Sequence, residues 1–66
     1  MVRVEVFDNN AVYVDDTRIT DRSTKWPASK MIARFQCPKE DVVTQLKERN
    51  FAESVRRIDD KEYEDA

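Results

Sequence analysis

A chain of 66 residues leaves room for one domain, and with 39% charged and 39% hydrophobic side chains it is too apolar and too patterned for wholesale disorder. The formal charge is only −2, histidine is absent and Cys37 is the single cysteine, which excludes an internal disulfide, a cysteine–histidine zinc site and the commonest general acid–base group. No apolar run approaches a membrane span, no signal-peptide pattern opens the chain, and a lone thiol suits a reducing compartment, so a cytoplasmic protein is expected.

Val2-Arg3-Val4-Glu5-Val6 alternates apolar and charged residues, the period of a half-buried strand. Phe7 interrupts the alternation, and Asp8-Asn9-Asn10 supplies side chains that suit a tight turn. Ala11-Val12-Tyr13-Val14 predicts a second strand, with Tyr13 on the face opposite Val12 and Val14. Asp15-Asp16 marks a two-residue turn or a bulge, after which Ile19 falls out of phase with the preceding valines. Residues 21–29 are polar and read as a loop. Met31, Ala33, Phe35 and Cys37 then alternate with Ile32, Arg34 and Gln36, a further strand with its odd positions toward the core.

Pro38 suits the first position of a helix, and Glu40 and Asp41 complement the helix dipole. Val42, Val43 and Leu46 form an apolar stripe. Asn50 can take the left-handed conformation that closes a helix, with Phe51 folding back on its last turn. Beyond it, Phe51, Val55 and Ile58 fit a short helix or a short strand. The fold expected is α+β: a small antiparallel sheet of three to four short strands followed by one helix, over residues 38–50, packed on a face. Residues 1–58 form the domain and residues 59–66 an acidic, frayed tail. Val2, Val4, Val6, Val12, Val14, Met31, Ala33, Phe35, Val42, Val43 and Leu46 are the expected core.

The chemistry-bearing residues point away from catalysis. Asp15-Asp16 and Asp59-Asp60 are neighbours in a turn and a tail, the setting of solvated surface residues rather than of a catalytic pair. Cys37 precedes a helix start, where a thiol can ionise, but it has no histidine partner and continues an apolar face. Glycine is absent, so neither a glycine-rich phosphate loop nor the usual calcium loop is present. No catalytic residue, metal or cofactor is expected.

Binding residues are more plausible. Between residues 18 and 34, Arg18, Arg22, Lys25, Lys30 and Arg34 face only Asp21 among acids. Trp26 lies in this polar loop between Lys25 and Lys30; it either reaches a partner, as hot-spot aromatics do, or folds back over a thin core. Basic residues around aromatics can hold a phosphate backbone and stack bases, although a sequence pI of about 5.0 argues against a nucleic-acid footprint. Tyr63, among Asp59, Asp60, Glu62, Glu64 and Asp65, is a second candidate contact. Without disulfide or metal, a domain of this size is reinforced by self-association or a partner. The functional expectation is a non-enzymatic protein-binding module, a regulator or inhibitor of a larger macromolecule of the kind phages and mobile elements encode. The alternative is a nucleic-acid-binding regulator using the basic segment Arg18 to Arg34, with Arg18, Arg22 and Lys25 required for binding.

Overall fold

The computed structural model describes residues 1–21 and 30–63. The alternating N-terminal segment forms β1 (Val2–Phe7), which lies inside the sheet with β2 (Val12–Val14) on one side and β4 (Met31–Cys37) on the other; β3 (Thr17–Arg18) pairs with β2. All pairings are antiparallel, in the order β3-β2-β1-β4. Period two then assigns the faces. Val4 and Val6, opposite Val14 and Val12, are buried on one side; Arg3 and Glu5 lie on the other.

Both hairpin turns use left-handed residues that are not glycine. Asn10 has φ 72°, and its N–H donates to the Phe7 carbonyl while the Phe7 N–H donates to that of Ala11, closing a three-residue loop. Asp15 and Asp16 have φ of 48° and 67°, which makes the second hairpin a two-residue turn rather than a bulge. Asn and Asp tolerate this region better than other side-chain-bearing residues.

Between β1 and β4 the register slips: Val6 opposes Ala33 but Phe7 opposes Met31, leaving Ile32 as an extra residue. A one-residue slip turns a side chain to the other face. Met31, expected in the core, is therefore 44% exposed beside Phe7, and Ile32 is 53% exposed.

The expected helix is divided. Pro38 sits at the N-cap of a short 3-10 helix (Lys39–Asp41), one position earlier than foreseen, and α1 proper is Val42–Glu48. Its closure is a Schellman motif: Asn50 has φ 69°, the Phe51 N–H donates to the Leu46 carbonyl (2.9 Å) and the Asn50 N–H to that of Lys47 (3.1 Å). α2 (Ala52–Arg56) follows, and the chain then returns to the sheet, where Ile58 bridges Thr20. The segment after Asn50 is thus a helix and then a single β-bridge.

The chain past residue 58 does not fray at once. The N–H groups of Asp59 and Asp60 donate to the Ile19 carbonyl, at 2.8 and 3.2 Å, and Tyr63 is only 8% exposed. It packs in one cluster with Val4, Val6, Val12, Val14, Ile19, Phe35, Cys37, Val42, Leu46 and Ile58, flanked by half-buried Val43, Phe51 and Val55. No helix is long and apolar enough to cross a membrane among the described residues.

Candidate functional site

The helices cover one face of the sheet. Among the described residues the opposite face carries no fully buried side chain: Arg3, Glu5, Phe7, Tyr13 and Arg18 are half-buried, and Met31, Arg34 and Gln36 are exposed. Directly opposed residues share a face, so the pairings set Arg18, Tyr13, Glu5 and Arg34 in one row across all four strands. Arg3 and Gln36 form a second row, Phe7 and Met31 a third.

Two interactions organise this surface. The rings of Phe7 and Tyr13 meet edge to face, with centroids 5.4 Å apart and planes at 72°, the favoured geometry for aromatic quadrupoles. Arg3 holds the β2–β3 turn against β1: its Nη2 donates to Asp16 Oδ1 at 2.6 Å and its backbone N–H to Asp15 Oδ1 at 2.9 Å. The hydrogen bond and charge of Asp16 push the Arg3 guanidinium further above its already high pKa. Its Nε has no hydrogen-bond partner and faces Glu5 Oε1 at 3.8 Å. Glu5, Phe7, Tyr13 and Asp16 line a shallow depression of about 160 Å3. The depression thus sets two aromatic rings beside two carboxylates, with Arg3 and Arg18 nearby.

Of the binding residues expected from the sequence, Arg18 lies in the central row and Lys30 is exposed at the start of β4, its carbonyl accepting from the Asp8 N–H (3.0 Å). Arg34, from the same basic group, is at the far end of that row. Arg22, Lys25 and Trp26 lie outside the described residues. Tyr63 does not join them. It is buried on the helix side with Lys39 Nζ 5.8 Å from its ring centroid, and Lys39 is tied to Glu62 at 3.0 Å. The structure thus places Tyr63 apart from the basic group, with its ring filling the end of the core. Phe7, Arg3 and Glu5 were not singled out by the sequence. Phe7 carried a signal all the same, an apolar residue in the polar phase of β1.

The acidic side of the molecule offers a second hollow, about 230 Å3, lined by Val14, Asp15, Thr17, Ile19, Asp60, Glu62 and Tyr63. Among the described residues no group of histidine, cysteine or acidic side chains is placed to hold a metal. Cys37 is buried, and burial raises its thiol pKa, with Asp41 adding to the effect; such a thiol stays protonated and unreactive at neutral pH. The chain matches no protein-family model, no curated protein and no solved structure.

Proposed function

We propose that this protein is a small non-enzymatic binding module that presents the open face of its sheet to another protein and so regulates or inhibits it, in a reducing, cytoplasmic setting. The observation that carries this reading is the Phe7–Tyr13 pair, held half-exposed among the described residues on the face opposite the helices and framed by Arg3, Arg18 and Arg34. Aromatic and arginine side chains dominate protein-binding hot spots. The protonated, buried thiol and the absence of histidine give no support to a catalytic role.

A second reading has a specific observation behind it. Arg18 and Arg34 flank Tyr13 in one row on the sheet face, beside Phe7, an arrangement on which unpaired bases can stack while the arginines meet phosphates. The low pI weighs against it.

One experiment tests both. Tagged protein and its Tyr13→Ala, Arg34→Glu double variant are used to capture partners from native lysate, with and without nuclease. A protein held by the parent after nuclease treatment and lost by the folded double variant supports the first reading. Loss on nuclease, with a steep fall of binding as salt rises, favours the second. Equal capture by parent and variant excludes the open face as the recognition surface.

A further inference from the structure

The two edges of the sheet differ. β3 is two residues long, too short to template another strand, whereas β4 is seven residues long, and no described strand pairs with its side away from β1. Proteins protect long edges with proline, lysine, inward charge or a bulge. β4 contains no proline or lysine, its one charge is Arg34, and its bulge lies at Ile32 near one end. Residues 33–37 remain regular.

We propose that this edge is the site of homotypic dimerisation: β4 of a second copy adds antiparallel to β4 about a two-fold axis at Phe35, joining two four-stranded sheets into one. The strand's own residues select both occupant and register. Opposed residues must share a face, so the axis has to pass through a residue rather than between two. An axis at Phe35 sets Arg34 opposite Gln36 of the other copy, Ala33 opposite Cys37, and Phe35 opposite itself. An axis at Arg34 opposes two like charges, which destabilises the pair. An axis at Gln36 brings Pro38, which lacks an N–H, into the ladder opposite Arg34. An axis at Ala33 draws the bulged Ile32 into the ladder. Only the Phe35 register avoids all three penalties, and it extends the helix-side apolar layer, since Phe35 and Cys37 are buried there.

The interface is a single strand pair, so the dimer is weak and concentration-dependent. Arg49 lies over the Phe35 ring, 4.1 Å from its centroid. Both copies therefore bring an arginine toward the axis, and salt that screens this repulsion tightens the dimer. This dependence is opposite in sign to that of nucleic-acid binding. The proposal does not rest on the open face, because strand addition uses backbone groups at the edge.

The test is sedimentation equilibrium of the full chain from micromolar to millimolar concentration, together with two variants. Gln36→Lys opposes Arg34 of the other copy and shifts the equilibrium to monomer, with circular dichroism confirming the fold. Ala33→Cys brings a new thiol opposite Cys37 of the other copy, within reach of a disulfide; within one chain the two positions lie about 13 Å apart along the strand and cannot bridge. Diamide oxidation, begun by the new thiol at the half-buried position 33 and run at mildly alkaline pH so that Cys37 can complete the bond, then gives a covalent dimer from Ala33→Cys and none from the parent. A monomer at every concentration overturns the proposal. A dimer that ignores Gln36→Lys and gives no cross-link also overturns it, by assigning the contact to another surface. A monomer whose capture of a different protein is lost with Gln36→Lys overturns it too, giving the edge to a foreign strand. Tyr13→Ala leaves the dimer intact, which separates failure here from failure of the open-face reading.

Discussion

On the inner face of the sheet, Val4, Val6, Val12, Val14 and Phe35 meet Val42, Leu46 and Ile58 with almost no exposed surface. On the outer face, one residue along each strand, Arg3, Glu5, Tyr13 and Arg18 keep part of their surface in water. Burying an aliphatic side chain contributes roughly 1.5–3 kcal/mol, whereas a cross-strand surface pair contributes roughly 0.2–1 kcal/mol. Adjacent residues therefore carry separate duties: one holds the fold and the next is free to be chosen for contact. Substitutions on the two faces should separate cleanly into losses of stability and losses of binding.

The largest effect expected is on the inner face. Leu46→Ala removes a fully buried side chain and should cost about 2–5 kcal/mol, most of the stability of so small a domain; urea unfolding measures it. An unchanged midpoint would mean that α1 does not seal the core.

Alkaline pH probes the same face without a substitution. Burial raises the pKa of both Cys37 and Tyr63. The unfolded chain releases these protons more readily than the folded one, so the stability they contribute is complete below the unfolded values, about 8.5 and about 10. It is lost as pH rises through the folded values. The melting temperature should be level from neutral pH to about 8.5 and fall above that, and Cys37→Ala should remove the lower part of the fall. A flat profile in the parent would show that these groups titrate alike folded and unfolded.

Outer-face truncation should matter less to folding. Tyr13→Ala loses the edge-to-face contact with Phe7, about 0.5–1.5 kcal/mol beyond the area this half-buried ring covers, and should cost less than Leu46→Ala, readable as a smaller shift in urea midpoint, while abolishing partner capture. A loss as large as that of Leu46→Ala would erase the distinction between the faces. Smallest of all, Asn50→Gly relieves the left-handed strain at the end of α1 and should raise stability by less than about 1 kcal/mol. A decrease would show that the Asn50 side chain contributes more than its backbone geometry.

The parts of the fold legible in the sequence are those set by local rules. Alternation of Val2, Val4 and Val6 fixes the faces of β1, and Asn50 ends α1 as its backbone tolerance foretells. The Asp15-Asp16 turn could be located but not typed, because a bulge and a two-residue loop leave the same apolar pattern. Met31 was misplaced because Met31, Ala33, Phe35 and Cys37 alternate perfectly; the extra residue at Ile32 exists only relative to β1. The burial of Tyr63 was not legible because its neighbours are acidic, and nothing local records that the segment returns to Ile19. The open face was half legible: Arg18 and Arg34 were seen as a basic group, but their alignment with Tyr13 and Glu5 depends on the pairing of four strands.

The return of the chain to Ile19 and Thr20 bears on how the protein is made. Synthesis runs from β1 onward, yet β1 finds its second neighbour only when Cys37 comes opposite Val2, and the cluster around Ile19 closes only with Ile58 and Tyr63. Contacts so distant along the chain are slow to form, since the intervening loop must close before they stabilise anything. A fragment ending before residue 58 would hold both helices but lack Ile58 and Tyr63, leaving that end of the core exposed and prone to aggregation. Arrival of Ile58 and Tyr63, rather than completion of the sheet, would then set the moment at which this core closes.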